Sequence, residues 1–385
     1  MTEVAGAHYP LPPFFVWVGP RRPKMLIIGE AWGEQEELHR QAFVGTSGKE
    51  LWRMLGEAIP DQPQLRQLAD ETLNYGSSWI RHRGEWLEAL GIAFTNVLAF
   101  RPPGNDLAGL CTSKLEATGR AAGWPSLSKG KYLAERYFGE LDRLEEELEE
   151  SRPNLLVLAG NSACWAVLRA TNIGSIRGAV TTDGKGRKVL PTYHPAGVLR
   201  QWAWRPIVVA DLMKAWREAQ QPELIRPQRK VLVSPTIEQV EGWTEQTLAE
   251  RPSLLSCDIE TGAGQIKCIG FARSRSEALV IPFVDQGVQG WSYWSESEEL
   301  RAWACVDKLL ASDIPKVGQN FLYDLQYLLR VGLRPESCLE DTMLLHHSLH
   351  PELQKGLGFL GSIYTNEASW KLMRRQRPDT EKRDE

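Results

Sequence analysis

The sequence predicts an α/β protein of two domains, and three observations carry that prediction. Short apolar runs, "KMLIIG", "IAFTNVLAF" and "NLLVLAG", recur at wide spacing, each followed by polar or helix-patterned chain, as strands of a buried parallel sheet do. A stretch rich in proline and charge, "QQPELIRPQRK", carries no apolar period, and a second alternation of strands and helices starts beyond it. The chain has 385 residues, whereas single cores stop growing near ~250–300.

In the first half, helices are expected from about Ser47 to Ile59, from Trp79 to Leu90, and over "KGKYLAERYFGELDRLEEELEESR". The opposite charges at i, i+4 in the last of these mark a solvated face. A further helix, "NSACWAVLRA", starts at Asn161, a plausible N-cap directly after a strand. In the second half, "KVLVSPTIEQVEGW" reads as a strand and then a helix opened by Pro235 and Thr236, and "SLLSCDIE", "IKCIGFAR" and "EALVIPF" read as an antiparallel meander. The expected boundaries are a first domain at 1–220, a linker at 221–229, a second domain at 230–365, and a charged, aperiodic tail at 366–385 expected to be disordered.

Hydrophobic residues make up 42% of the chain, enough for real cores, and the formal net charge of −4 excludes a protein that is basic throughout. The charge is uneven. Arg169 to Arg217 holds nine Lys or Arg against two Asp, a basic stretch suited to a polyanion. The six cysteines form no Cys-x-x-Cys pair and no zinc spacing, so they read as reduced thiols. The N-terminus, "MTEVAGAHYPLPPFF", lacks a basic region followed by an apolar run, and no window approaches eighteen apolar residues. A soluble, cytoplasmic protein is expected.

The stretch "LIIGEAWGEQEELHRQAFVG" places the acid Glu30 where a core strand ends, the edge at which open α/β sheets bind ligands. A phosphate-loop reading fails, because "GEAWGEQEE" lacks the lysine and hydroxyl of a Walker loop and is crowded with acids. What gives the acid meaning is the order of motifs around it. "GEAWGEQEE", "AFVGTSGKELWRML", "FTNVLAFRPPGND", "LVLAGNSACWAVL" and "PTYHPAGVLR" together resemble the uracil-DNA glycosylase superfamily, closest to the branch called family 4, over residues 24 to 218.

That resemblance implies a three-layer α/β/α fold around a central parallel sheet, and hydrolysis of the N-glycosidic bond of a flipped-out uracil in DNA, as in base excision repair. Phe43 matches the family's stacking aromatic. Asn96 matches the amide that pairs with uracil O4 and N3–H, which cytosine could not match. Gly29, Glu30 and Ala31 would form one wall of the pocket. His194 matches the histidine that stabilises charge developing on uracil O2, an effect typically worth ~3–4 kcal/mol; the residues leave open whether it acts neutral or charged. Pro195 to Arg200 resemble the loop that wedges into the minor groove, with Leu199 filling the vacated space and Arg200 on phosphate or a base edge.

Three departures qualify the resemblance. Family 4 proteins usually carry four cysteines on an iron–sulfur cluster; here the N-terminal region has none and Phe100 stands where the third is expected, so no cluster is expected. Trp32 replaces the usual proline of the first motif. Ala31 stands where the best-known branch has a water-positioning Asp, which leaves Glu30 as the nearest carboxylate to orient water, or merely to hold the loop.

Beyond the linker, "CDIETG" puts Asp258 and Glu260 on one face of a strand, able to share a metal ion. With "VGQNFLYDLQYLL" and "EDTMLLHHSLHPELQKGLGFL", residues Lys230 to Tyr364 resemble the proofreading 3′-to-5′ exonuclease domain of bacterial-type and phage DNA polymerases, which has a ribonuclease H-like fold. The resemblance implies that Asp258, Glu260 and Asp324 bind Mg²⁺ or Mn²⁺. The family's last motif, Tyr-x-x-x-Asp, is missing, since Tyr364 is followed four residues on by Ala368. A weak or inactive module that binds DNA, or docks to a DNA polymerase, is expected. His346 and His347 read as helix-surface and core residues rather than ligands. Two alternatives to a glycosylase stand: a non-catalytic DNA-binding replication or repair accessory factor, and, ranked lower, a metal-dependent 3′-to-5′ exonuclease.

Overall fold

A computed structural model of the chain describes residues 11–74, 79–285, 287 and 292–367. They form two compact units: residues up to Leu224 together with those from Gly361 onward make one, and Ile225–Leu360 the other. Of the tail placed at 366–385, everything after Glu367 lies outside the described residues.

The strands of the first unit are β1 (Met25–Gly29), β2 (Ile92–Asn96), β3 (Cys111–Thr112), β4 (Tyr132–Leu133), β5 (Leu155–Ala159), β6 (Thr181–Thr182) and β7 (Lys188–Thr192). Its helices are α1 (Glu34–His39), α2 (Thr46–Ala58), α3 (Pro63–Asn74), α4 (Trp79–Leu90), α5 (Gly139–Ser151), α6 (Asn161–Leu168), α7 (Ile173–Ile176), α8 (Pro195–Arg200) and α9 (Arg205–Glu218). The main sheet has the order β2-β1-β5-β7-β6, parallel except for the edge strand β6, while β3 and β4 pair separately. Every residue of β1, β2, β5 and β7 is buried, as in a sheet covered on both faces. Met25 and Ile27 pack with Trp52, Leu55 and Leu212 on one side, and Leu26 and Ile28 with Leu144, Leu148 and Trp165 on the other. The result is a three-layer α/β/α arrangement.

Two local expectations are corrected. The charged helix α5 is shorter than its pattern, and its charges at 140, 143 and 147 face inward. Arg143 donates to Glu140 and Glu147 at 3.1 and 2.6 Å, with all three side chains essentially free of solvent. Opposite charges three and four apart serve a solvated face and a buried ion triad equally well, so the pattern could not tell them apart. The second correction concerns α6, whose N-cap is Gly160 and not Asn161; the Asn161 amide oxygen instead accepts from Ile173 N at 2.9 Å. Gly160 sits at φ +88, and a Cβ there would lie 2.9 Å from His194 Cβ, so only glycine fits.

The first unit also includes chain from far along the sequence. The buried Lys214 donates to the carbonyls of Gly178, Ser362 and Thr365 at 2.8, 2.6 and 2.5 Å, and burial pulls its pKa down to about 8.

In the second unit the strands are β8 (Lys230–Leu232), β9 (Leu255–Gly262), β10 (Gln265–Ala272), β11 (Glu277–Pro282), β12 (Lys316–Gly318) and β13 (Cys338–Asp341). The helices are α10 (Ile237–Glu250), α11 (Glu296–Leu310), α12 (Phe321–Arg330), α13 (Thr342–Leu349) and α14 (Leu357–Tyr364), the last of which runs on into the residues grouped with the first unit. The sheet order is β13-β12-β9-β10-β11-β8; β9, β10 and β11 form an antiparallel meander, and β12 and β13 add in parallel. An antiparallel meander extended by parallel strands at its first member is the ribonuclease H-like layout expected. Thr236 opens α10 with a capping box to Gln239. Among the described residues no helix is long and apolar enough to cross a membrane.

Candidate active site

The first unit's candidate residues gather at the carboxyl ends of its parallel strands. Gly29 and Asn96 are register partners that close β1 and β2, Gly160 follows β5, and His194 lies two residues beyond β7. The chain leaves β1 toward β2 on one side and returns to β5 on the other, so the β1/β5 boundary is the sheet's topological switch point, the place at which open α/β sheets bind ligands.

Phe43 and Asn96 both lie over Gly29. A Cβ on Gly29 would sit 2.3 Å from Asn96 Oδ1 and 2.6 Å from Phe43 Cζ, so the glycine makes room for both. Phe43 itself has φ 56, a left-handed conformation costly for a bulky residue. Several groups hold it there. Its carbonyl accepts from Trp52 Nε1 at 3.3 Å and Arg83 Nη1 at 3.4 Å, and Gly48 lies under its backbone with no space for a side chain. The buried Glu36 accepts from Val44 N and Gly45 N at 3.0 and 2.7 Å, and from Gly33 N at 3.2 Å, tying the Phe43 loop to the first motif. Sequence reasoning missed Glu36 and Arg83; the crowding of acids in "GEQEE" was the only signal.

Asn96 is 3% exposed, and its side-chain amide has no hydrogen-bond partner among the described residues. Its backbone is fixed by Arg143, which donates to the carbonyls of Asn96 and Val97 at 2.6 and 3.0 Å. Glu140 accepts from Ala99 N and Glu147 from Thr95 Oγ1, both at 2.7 Å, so the triad on α5 grips the end of β2 from both sides.

His194 caps α8. Its Nδ1 accepts from Ala196 N at 3.2 Å, which makes the proton-bearing nitrogen Nε2, a donor with no partner among the described residues. Burial lowers the imidazole pKa; Glu30 and Glu36 oppose that shift and Arg200 adds to it. Burial thus favours the neutral imidazole. Its ring stands 6.3 Å from that of Phe43, with 28° between planes.

The half-buried Glu30 accepts from Ser162 Oγ at 2.5 Å through Oε2, and no other side-chain hydrogen bond reaches it among the described residues. Ala31 packs into the core on the α5 side. Trp32 is buried with Val16 and Ala99, and its indole N–H has no partner among the described residues. It fills space as part of the wall behind the first motif.

The segment from Pro195 to Arg200, expected as a loop, is the short helix α8, because Pro195 at its first position and the His194 cap both favour one. Pro195 is buried, whereas Leu199 is 41% exposed and Arg200 points into solvent. Sequence reasoning missed Trp202, which is 59% exposed on the following turn, with the Arg205 guanidinium 5.4 Å from its ring centre. That turn is anchored by Trp204, stacked 4.2 Å from Tyr193 and packed on Gly197. The basic stretch is mostly consumed internally. Arg177 pairs with Asp211, Arg187 with Glu145 and Asp183, Lys185 with Glu145 and Glu149, and Arg205 with Glu50 and Glu57. Lys188 pairs with Glu218 and Lys214 is spent on backbone carbonyls, leaving Arg169, Arg200 and Arg217 without a carboxylate partner among the described residues.

In the second unit, Asp258 and Glu260 alternate on the exposed face of β9, and Asp324 in α12 accepts from Ile259 N at 2.8 Å. Burial and the neighbouring Glu260 raise Asp258; burial, Asp258 and Asp341 raise Asp324 to about 6. Asn320 is the left-handed N-cap of α12, held with Phe321 by Asp341, which accepts from both backbone amides at 3.0 and 2.8 Å. His346 is buried on α13. Among the described residues no three His, Cys, Asp or Glu stand close enough together to hold a metal ion.

The chain belongs to the uracil DNA glycosylase superfamily, whose family model matches residues 16–220. It is similar to the type-4 uracil-DNA glycosylase of Archaeoglobus fulgidus, 27% identical over 205 residues that span 51% of this chain and 77% of that one. It is also similar to the type-4 uracil-DNA glycosylase of Saccharolobus solfataricus, 24% identical over 204 residues, 51% of this chain and 71% of that one. Among solved structures, Escherichia coli RNase D, an exoribonuclease involved in structured RNA processing, aligns at 18% identity with a TM-score of 0.29, over 40% of this chain and 39% of that one. The EXD2 exonuclease domain soaked in Mn and GMP aligns at 21% identity with a TM-score of 0.24, over 40% of this chain and 77% of that one. At such scores the likeness carries no argument, and the layout of the second unit rests on its own strand order.

Proposed function

We propose that the first unit is a uracil-DNA glycosylase that hydrolyses the N-glycosidic bond of a flipped-out uracil. The observation that carries this reading is the convergence on Gly29 of the Phe43 ring and the Asn96 amide, beside His194 with its Nε2–H, both polar groups without a partner among the described residues. Phe43 stacks the base, and Asn96 offers one donor and one acceptor to its Watson–Crick edge. As the bond to the sugar breaks, negative charge builds on uracil O2, and the His194 N–H stabilises it without delivering a full proton. Glu30 orients the attacking water, while Gly29 and Ala31 complete the wall. Leu199 and Trp202, with Arg200 between them, meet the DNA around the vacated position.

An iron–sulfur cluster does not fit this chain. The cysteines between residues 16 and 220 are Cys111 and Cys164, and burial pushes their thiols up to about 11 and about 12, away from the thiolate form a cluster needs. The proposed glycosylase uses no cofactor.

For the second unit we propose an exonuclease-like module that contacts DNA, or docks to a DNA polymerase, with weak or no hydrolysis of its own. Mg²⁺ or Mn²⁺ would be held by Asp258, Glu260 and Asp324 only if nucleic acid or metal draws them together. The test is incubation of a uracil-containing single strand with the protein in EDTA, followed by alkali. A nick at the uracil is the expected result. No nick under any condition supports an accessory DNA-binding factor, and degradation that appears only with Mg²⁺ or Mn²⁺ supports an exonuclease.

A further inference from the structure

The turn from β5 into α6 touches both polar groups assigned to the reaction. Gly160, at φ +88, backs directly onto His194, with 2.9 Å between its virtual Cβ and His194 Cβ. Two residues on, Ser162 donates its hydroxyl to Glu30 Oε2 at 2.5 Å. Glu30 follows β1 and Ser162 follows β5, so this bond bridges the sheet's switch point. Ser162 is itself 5% exposed and lies in the first turn of α6, where free backbone amides favour a negative charge alongside.

We infer that Ser162 is a positioning residue for the excision reaction: it fixes the Glu30 carboxylate through Oε2, so that Oε1 is presented to the attacking water at a set distance from His194. This rests on the reading of Glu30 as the water-orienting group. In the step served, the water oxygen bonds to the sugar C1′ as the C1′–N1 bond breaks. The bonding electrons leave with uracil, and the water's proton passes to Glu30 Oε1. A free carboxylate on a loop would sample several rotamers, and a misplacement of about 1 Å can cost ~100-fold in rate. Backing His194 and anchoring Glu30 from one three-residue turn sets the spacing between the two groups from a single rigid piece of backbone.

The test uses the full chain, with single-turnover excision from a uracil-containing oligonucleotide and binding of the same oligonucleotide carrying a 2′-fluoro deoxyuridine that resists cleavage. Ser162→Ala is expected to slow the single-turnover rate roughly 10- to 100-fold, the range for losing one hydrogen bond to a charged group. Binding of the uncleaved probe should change less than about twofold, and Ser162→Thr, which restores the hydroxyl, should recover most of the rate. A wild-type rate for Ser162→Ala beside a slow Glu30→Gln overturns the role of Ser162 and leaves that of Glu30 intact. A wild-type rate for Glu30→Gln removes the reading of Glu30 and the inference with it. Equal losses in Ser162→Ala and Ser162→Thr, or a loss of probe binding that accounts for the whole effect, assign the residue to packing and overturn the inference.

Discussion

The imidazole of His194 is locked by its own helix: Nδ1 accepts from Ala196 N at 3.2 Å, which leaves Nε2–H as the only donor the ring can offer. Burial disfavours the imidazolium, so the folded chain holds this proton more weakly than the unfolded chain does. Excision should stay constant as the pH is lowered through ~6.5, the ordinary imidazole value, and fall only below it. Between that value and the lowered one the unfolded state binds more protons, so stability falls as the pH drops through the same window. Replacing His194 by Ala should slow single-turnover excision by about 100- to 1,000-fold. A pH–rate profile with its acid limb above pH 6.5 would contradict the neutral donor.

Gly29 leaves room for two side chains at once, since a Cβ would approach Asn96 Oδ1 to 2.3 Å and Phe43 Cζ to 2.6 Å. Gly29→Ala should therefore displace both the reading amide and the stacking ring. We expect excision to drop about 100-fold or more, and the unfolding midpoint in urea to fall as well, because Gly29, Phe43 and Asn96 are all buried and overpacking such a site costs ~1–3 kcal/mol.

Arg143 neutralises two carboxylates that have no access to water. Arg143→Met should strand both of them, and breaking a buried pair from one side costs ~3–5 kcal/mol. Urea unfolding measures that loss. Because Arg143 also holds the Asn96 and Val97 carbonyls, excision by the remaining folded protein should fall as well.

Asp324 is raised to about 6, chiefly by burial, so in the folded state it binds its proton more tightly than an unfolded aspartate does. Between pH ~4 and the raised value the folded chain carries the extra proton, and stability rises as the pH is lowered through that interval. Asp324→Asn, which keeps an acceptor for Ile259 N, should flatten this dependence by on the order of 1 kcal/mol. Urea titrations of the second unit's transition at pH 5 and pH 7 compare the two proteins directly.

Trp202 presents an open indole face on a turn that Trp204 anchors against Tyr193. Stacking of one base on an aromatic side chain is worth ~1–3 kcal/mol. Trp202→Ala should weaken single-strand binding by a matching factor, with Trp202→Phe intermediate, as fluorescence anisotropy of a labelled oligonucleotide would record. Unchanged binding in both variants would remove the indole from the DNA surface.

Three sheet strands were legible because strands buried on both faces favour apolar runs, as β1, β2 and β5 do; β7, Lys-Val-Leu-Pro-Thr with a buried lysine and threonine at its ends, carries no such run. Phe43 and His194 are legible only through the resemblance of their motifs, whereas Asn96 also stands at the end of an apolar run. What was not readable depends on facts that a linear pattern does not carry. Glu140, Arg143 and Glu147 have the spacing of a solvated helix face, and only the packing of α5 on β2 reveals them as internal supports. Glu36 looked like one of several surface acids until the chain turned back and brought Val44 and Gly45 to it. The basic stretch counted correctly as charge, yet most of its partners came from α2, α5 and α9, so its sum did not predict its free charge.

The bond from Lys214 to Ser362 and Thr365 joins positions 148 and 151 residues apart. During synthesis at ~5–20 residues per second, the lysine would leave the ribosome roughly 7–30 s before its acceptors exist. In that interval the ammonium can meet only Gly178 and water, so the emerging unit must tolerate a charged, incompletely satisfied group at its edge. The first unit can thus build its sheet early but reaches its final hydrogen bonding late, and refolding of chains cut before Ser362 should stop at that unfinished stage.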